Sequence, residues 1–472
     1  MPLPSRAYDA YVSTGDPDDL RNRALAVLLS PDLAHVIDLV CWRDGALVHV
    51  ADSTGHSTLS ADGGTTVLSG TDPVADQDPL SDTSYPFAAV RLHSLFTDRR
   101  SPDLAVVHTD AHHWPEKGGH LGEHGSLGSV QSRAPFLLSG AGVADRGVLD
   151  RAVRIVDVGA TLAHLSGGAL DGMDGSPVDL AVPGAEHVVG LLWDGAPCAD
   201  VLALATSGAL PNVARLLANG LALRGGAVAE FPSVTLVNHT CALTGVGPGV
   251  HGIVNNAFYD RDTGERVVPN SPDTWHRAMD WLRPGVRTVF ERLPAGATSA
   301  CVNDPVDVGA TYSTFALVRE LHGTGGSLVG TLRPAEDDLH ATQDFVAAND
   351  DYRWGSQIDA SGLQQVLGLW RDGPPPRLMW WNTTLTDGAH HAGGPGSAIA
   401  RAGLADADAR LGVWLDLVEQ RGLLERTTVL LTADHGMAGA VPGVTGDWDA
   451  ALDAAGIAFR DEGHGFLYLG VT

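Results

Sequence analysis

The amino-acid sequence predicts an α/β fold: a mostly parallel sheet with helices on both faces. Three observations carry this. Apolar runs at 187–194, 377–387 and 428–434 each reach an acid, namely Asp194, Asp387 and Asp434. Helical stretches at 211–218 and 397–422 lie between such runs. The runs carry continuous apolar stretches rather than strict alternation, as expected of strands buried on two faces. Strands alternating with helices imply parallel neighbours, and ligands in such sheets bind beyond the carboxyl ends of the strands.

In chain order, 36–40 and 46–51 joined through Asp44-Gly45 predict a hairpin. Residues 103–109 and 134–139 read as strands, and 150–165 as a helix. The run 187–194 is the first buried strand of the main sheet. A helix over 211–218 stops at Gly220. Apolar periodicity resumes after Thr235 and ends at Gly245, so Thr235 stands at a helix start. Residues 257–375 mix short helices and loops and read as a cap or insertion, with 298–305 returning to the sheet. The strand 377–387, the helix 397–422 and the strand to Asp434 complete the core. No internal repeat or heptad run interrupts this order.

The chain has 472 residues, 44% of them hydrophobic, enough for a substantial core. A formal net charge of −27 excludes a general basic surface for nucleic-acid polymers or anionic membranes. Cys41, Cys198, Cys241 and Cys301 are too far apart for a zinc-ribbon spacing and suit reduced, buried thiols. The first residues lack an apolar leader, and no run of about 18 apolar residues exists for a membrane span. A cytoplasmic protein is expected; the oligomeric state is not legible.

The chemistry lies in short segments. Thr432-Ala433-Asp434-His435-Gly436-Met437 offers a carboxylate and an imidazole to one metal ion. Asp387 and His391 stand four residues apart among glycines, a spacing that also arises by chance. Thr235 at a helix N-terminus suits an alkoxide or phosphate, although an ordinary helix cap reads the same way. Asn256 offers an amide donor, or merely a turn residue. Asp194 ends its own strand. Each signal is weak alone; their order and placement together are hard to obtain by chance.

Read together, Asp194-Gly195, Phe231-Pro232-Ser233-Val234-Thr235, Asn238-His239, Thr244-Gly245, Pro248, His251-Gly252-Ile253, Asn256, Asp387 with His391 and Gly394-Pro395, and Thr432–Met437 form one pattern. It resembles the nucleotide pyrophosphatase/phosphodiesterase family of the alkaline phosphatase superfamily, over most of 187–472. The resemblance implies an alkaline-phosphatase-like sheet and two zinc ions, with manganese or iron as alternatives. One ion would be held by Asp194, Thr235, Asp434 and His435. The other would be held by Asp387, His391 and one further histidine. Thr235 would be the nucleophile, and Asn256 would donate to the transferred phosphoryl group.

The further histidine is the unusual part. His464 has the expected chain order but lies close to the end of the chain. Gly122-Glu123-His124-Gly125-Ser126 resembles the family's terminal histidine motif. The segments 134–140 and 156–163 resemble its closing strand and helix, and 174–178 its usual finish. The resemblance therefore implies a circular permutation: 1–186 corresponds to the usual C-terminal half, 187–472 to the N-terminal half, and the two form one catalytic domain. His124 is favoured over His464 and His120. An exchange of His124 between the chains of a dimer is the runner-up.

The function implied is hydrolysis of a small phosphate ester, a nucleotide being one candidate, through a phosphothreonine. A phosphomonoesterase or phosphonate-cleaving hydrolase is the alternative, and a silent binding protein the rival from another class. A sulfatase is disfavoured, since no Cys/Ser-x-Pro-x-Arg signature occupies the nucleophile position. Trp275, Tyr312, Tyr352 and Trp354 are aromatic candidates for contact with substrate, Tyr312 foremost; ordinary packing is the competing explanation for each.

Overall fold

A computed structural model describes residues 17–115, 118–323 and 350–471. An eight-stranded sheet forms its centre. Its order is Tyr312–Ser313, Ser299–Val302, Leu378–Thr383, His187–Trp193, Thr427–Thr432, Phe136–Gly140, Gly220–Leu223 and Gly147–Leu149. The first five strands run parallel to one another. Phe136–Gly140 is antiparallel to both of its neighbours. The α/β prediction holds, with strands from the front of the chain completing the sheet supplied by the back.

His187–Trp193 is buried throughout and pairs on both sides. Gly190 in its middle is required: a Cβ there would lie 2.4 Å from the Trp380 ring of the next strand. One apolar core runs through both parts of the chain, from Phe136, Ile155 and Leu162 to Leu191, Val237, Trp380, Trp414 and Leu430. The helix Ile155–Leu165 lies close on the helix Thr235–Thr244, where a Cβ on Gly159 would meet the Ala242 carbonyl at 2.7 Å.

Of a second, seven-stranded antiparallel sheet only the first hairpin and the strand at 103–109 were foreseen, and not their assembly. Its order is Phe459–Asp461, Phe466–Leu469, Leu104–His108, Ile37–Asp44, Leu47–Ala51, Gly55–Leu59 and Thr65–Gly70. Both faces of its inner strands are covered, while the edge strand Thr65–Gly70 is exposed. Ala105 and Val107 join the core beside Leu92 and Phe258, while Leu104 and Val106 join that of the helices Pro17–Leu28 and Trp448–Ala454. That is the two-residue period of a strand. Since 459–469 comes from the far end of the chain, no local pattern announced the pairing.

Three boundaries differ from expectation. The helix expected from 150 begins at Ile155, because Val153–Arg154 is a short strand and Arg154 with Asp157 forms the helix's capping box. The helix expected to stop at Gly220 ends at Leu217 with Ala218 as its cap, and Gly220 instead opens the strand Gly220–Leu223. Asp387 is not at a strand end: the strand stops at Thr383, and Asp387 lies in the first turn of the helix Leu385–Gly393.

Within 257–375, the strand Ser299–Val302 is the expected return to the sheet. The long helix Asp350–Arg371 packs on the strand Leu378–Thr383, so it covers the sheet rather than capping a site. Residues 324–349 of this stretch lie outside those described.

Candidate functional site

The acids and imidazoles converge beyond the carboxyl ends of the parallel strands. Asp194 directly follows His187–Trp193, and Asp434 follows Thr427–Thr432 after one residue. On the helix Leu385–Gly393 the four-residue spacing puts Asp387 and His391 on one face, and His391 Nε2 lies 3.4 Å from Asp387 Oδ2. His435 Nε2 is 3.2 Å from Asp434 Oδ2 and 3.9 Å from Asp194 Oδ1. Gly195, at φ +64°, keeps the centre open: a Cβ on it would lie 2.5 Å from Asp387 Oδ1. Its amide donates to Asp434 Oδ1 at 3.0 Å.

His124 arrives from the front of the same chain. The short pair Gly122–Glu123 with Ala438–Gly439 docks this segment beside the Asp434-His435 loop. His124 Nδ1 donates to the Ser233 carbonyl at 2.9 Å, which turns Nε2 toward Asp387 Oδ1 at 4.0 Å. Its ring stacks on His435 with centroids 3.7 Å apart, and lies 5.1 Å from the ring of His391. The other rings are held in the same manner: His391 Nδ1 donates to the Gly122 carbonyl at 2.7 Å and His435 Nδ1 to the Gly436 carbonyl at 2.8 Å. A ring whose Nδ1–H is fixed on a carbonyl presents a bare Nε2, the usual arrangement of a metal-binding histidine.

The two half-sites adjoin. His124, Asp387 and His391 have ligand atoms mutually within 4.8 Å, as do Asp194, Asp387 and His435. Asp194 Oδ1, Asp387 Oδ1, Asp434 Oδ2 and His435 Nε2 are buried without a hydrogen-bond partner. Leaving such atoms unpaired is costly, and a divalent cation is the partner their chemistry fits. Burial, together with Asp434 and Asp387 alongside, pushes the Asp194 carboxyl well above the usual carboxylate range. Burial also opposes ionisation of Asp434, but His435 and His239 outweigh it and bring that carboxyl down to about 2. Burial, then the neighbouring rings of His435, His391 and His464, hold His124 well below the ordinary imidazole value. His124 is thus neutral near pH 7, the state that binds metal.

Thr235 is the first residue of the helix Thr235–Thr244, after Val234 in extended conformation. One turn further on the same face, His239 Nε2 lies 3.5 Å from Asp434 Oδ2 and 3.7 Å from Asp194 Oδ2. Asn256 is beside the helix start: its Oδ1 accepts from the Leu236 amide at 3.1 Å.

The other candidates fall elsewhere. His464 belongs to none of the metal-type clusters among the described residues, and its ring centroid is 5.8 Å from that of His124. His120 joins Glu123 and His391 in a cluster at the edge of the site. The Tyr312 hydroxyl donates to Gln365 at 2.9 Å, on the helix Asp350–Arg371. Tyr352 is buried and donates to Asp406 at 2.9 Å, a packing role. Trp275 and Trp354 face each other with centroids 5.4 Å apart. His239 was part of the sequence pattern but received no role there. Asp304, 2.9 Å from His239 Nδ1, lies in the segment from Cys301 to Tyr312 expected to return to the sheet and border the pocket, but was given no role of its own.

Carboxylates and imidazoles gathered beyond the strand ends of an α/β sheet, with a threonine at a helix start, define a metal-dependent α/β centre. The sequence profile of the type I phosphodiesterase/nucleotide pyrophosphatase family matches residues 188–472, and the chain belongs to that family, within the alkaline phosphatase superfamily. It is 24% identical over 221 residues to an uncharacterised pyrophosphatase/phosphodiesterase of Schizosaccharomyces pombe, covering 45% of this chain and 37% of that protein. It is 31% identical over 145 residues to the alkaline phosphatase PafA of Elizabethkingia meningoseptica, covering 31% and 26% respectively. Among solved structures it is similar to murine ectonucleotide pyrophosphatase/phosphodiesterase 5, with 18% identity and a TM-score of 0.41 over 58% of this chain and 64% of that one. The chain thus spans well under half the length of the curated relatives it matches.

Proposed function

We propose that this chain hydrolyses small phosphate esters, as a phosphodiesterase of the nucleotide pyrophosphatase type acting through a phosphothreonine at Thr235. One observation carries the reading: Asp194, Asp387, Asp434, His435 and His124, drawn from distant parts of the chain, meet with four buried, unpartnered ligand atoms. Asp194, Asp434, His435 and Thr235 would hold one divalent cation; Asp387, His391 and His124 would hold the second. The mixed carboxylate and imidazole donors favour zinc. Bound there, such ions supply charge that activates a hydroxyl or water and stabilises the attacking and leaving oxygens.

The chain's own groups account for the rest. Thr235 Oγ1, its hydroxyl proton released to solvent, attacks phosphorus; a bond from Oγ1 to phosphorus forms as the ester oxygen leaves with its bonding pair and takes a proton from water. The helix start favours the negative charge that gathers on the transferred group. Asn256 Oδ1 already accepts from the Leu236 amide, so its Nδ2 is the atom that donates to that group. Water then cleaves the phosphothreonine and restores the hydroxyl.

The test is zinc-loaded protein with bis-p-nitrophenyl phosphate. Thr235→Ala should bind zinc nearly as the wild type does and lose at least roughly a thousandfold in turnover. Wild-type rates in that variant would refute the covalent route. The similarity to an alkaline phosphatase favours a second reading, a phosphomonoesterase, which a preference for p-nitrophenyl phosphate would reveal. No turnover of any ester or phosphonate would leave a binding protein.

Circular permutation belongs to the same proposal. It is supported by the strand Phe136–Gly140 standing between Thr427–Thr432 and Gly220–Leu223, and by His124 lying beside Asp387 of its own chain. A cytoplasmic location is also proposed, supported by four buried cysteines free of disulfides. No helix among the described residues is long and apolar enough to cross a membrane.

A further inference from the structure

The turn after the strand Ser299–Val302 has no part in the site described so far. Asn303 is in the left-handed region at φ +59°, one of three non-glycine residues there among those described. Three elements hold it. Its amide donates to Thr314 Oγ1 at 3.0 Å, its carbonyl accepts from Asn382 Nδ2 at 3.1 Å, and its Nδ2 donates to the Ile358 carbonyl at 3.1 Å. A backbone fixed so firmly in a sparsely populated conformation points to what it positions.

What it positions is Asp304. This carboxylate is fully buried. Oδ1 accepts from the Val306 amide at 2.9 Å, Oδ2 accepts from Trp380 Nε1 at 2.8 Å, and His239 Nδ1 is 2.9 Å from Oδ2. The His239 ring is 2% exposed, and its Nδ1 meets Asp304 as a close ion pair without an aligned hydrogen bond, so the carboxylate holds the ring by charge and contact. Its free edge faces the candidate metal ligands. Nε2 lies 3.5 Å from Asp434 Oδ2 and 3.7 Å from Asp194 Oδ2, while His435 stands toward Asp194 Oδ1. Burying a carboxylate and an imidazole together is costly where apolar side chains would pack as well. A purely structural role does not explain the pair.

We propose that Asp304 and His239 are positioning residues for the cation site of Asp194 and Asp434. Asp304 holds the imidazole by charge, and the imidazole stands on the Oδ2 side of both carboxylates, one helical turn from Thr235. The inference rests on the reading that Asp194, Asp434, His435 and Thr235 hold a cation. Its sequence signature is an acid two residues beyond the strand Ser299–Val302 and a histidine four residues after the nucleophile.

The experiment measures zinc dissociation constants of the full chain by competition with a chromogenic chelator, without substrate, for wild type, His239→Gln and Asp304→Asn. Partners behind metal ligands typically change affinity by roughly 10–100-fold. The expected result is at least a tenfold loss for one of two zinc ions in each variant, with the other ion unaffected. The double variant should be no worse than either single one, since the pair acts as a unit. Trp380→Phe, which removes only the indole donor to Asp304, should show a smaller loss of the same kind and serves if either variant fails to fold. Wild-type affinities in the folded variants, with only the melting temperature in chelator lowered, overturn the positioning role. A wild-type protein that binds no divalent cation overturns the cation-site reading itself, before any variant is compared.

Discussion

Replacing Asp194 by Asn should stabilise the metal-free protein while reducing its response to zinc to that of the Asp387/His391 seat. Ligand atoms of Asp194 lie within 4.8 Å of those of Asp434 and of Asp387. At an effective dielectric constant of about 20, each such pair of ionised carboxylates repels by about 3 kcal/mol. Burial opposes charge on the His239 imidazole, 3.7 Å away, but Asp304 and Asp434 raise its pKa well above the ordinary value, so it offsets part of this. Burial and the two neighbouring carboxylates also make the folded chain keep a proton on Asp194. A net gain on the order of 2 kcal/mol is therefore expected for Asp194→Asn in chelator at pH 8. The direction with pH follows from the raised folded value. The folded protein holds a proton that the unfolded chain has released, so wild-type stability falls as pH rises from the ordinary carboxylate range through the raised one. The advantage of the variant grows over that interval and vanishes in acid. Zinc reverses the order, since a ligand at a hundredfold excess over its Kd adds about 2.7 kcal/mol to the wild type. The assay is urea unfolding in EDTA and in zinc, at pH 4 and pH 8. A variant less stable than wild type in EDTA at pH 8, or an equal gain from zinc in both proteins, would refute the reasoning.

His124→Ala should empty the Asp387/His391 seat, with at least a roughly tenfold weaker affinity for one zinc ion, whereas His464→Ala should leave both affinities unchanged; isothermal titration separates the two, and the reverse pattern would reassign the ligand. Asp38, half-buried beside Tyr85, has its carboxyl raised by desolvation from 3.8 to about 6. That displacement is worth roughly 3 kcal/mol, a cost to the wild type that appears as pH rises from about 4 to about 6. Asp38→Asn should therefore gain up to that amount at pH 8 and nothing at pH 4 in chemical denaturation.

The legible part of the fold was the part whose signals are local. His187–Trp193 and Thr427–Thr432 are buried on both faces and so read as continuous apolar runs. The helix Ala398–Gln420 carries its period over 23 residues. The second sheet was illegible because its strand Leu104–His108 pairs with Phe466–Leu469, more than 350 residues away, and period-two patterns of four or five residues do not identify partners. In the site, strand-end acids and the Asp387/His391 spacing were readable because they recur in a known pattern, although Asp387 proved to be helical. His239 and Asp304 were missed for a different reason. A histidine inside a helix and an acid in a turn are both ordinary, and only the fold reveals that one points at the other across 65 residues of chain.

The proposed permutation makes a demand on the polypeptide that can be tested directly. If 1–186 and 187–472 are two halves of one domain joined in exchanged order, the present junction is dispensable. Val182, Pro183 and Gly184 are exposed, and a Cβ on Gly184 would meet nothing within 4 Å. The backbone bonds on either side, from the Val182 amide to Gly142 and from the Glu186 amide to Arg426, would survive a break between Pro183 and Gly184. At the other junction the helix Pro17–Leu28 packs on Trp448–Ala454, and Leu20 reaches to Gly470. Joining Thr472 to Met1 therefore closes a loop whose described ends, Leu20 and Gly470, already lie together, and lengthening a closed loop costs only about 0.6 kcal/mol per doubling. A chain beginning at Gly184 and ending at Pro183 should fold, elute like the wild type and bind zinc with unchanged affinity, because every ligand keeps its neighbours. Breaks at exposed loops of this kind are tolerated when the remaining contacts are intact. A re-permuted chain that is folded yet has lost the Asp387/His391 seat would mean that His124 depends on the present chain order, and the two segments would then not be interchangeable halves of one domain.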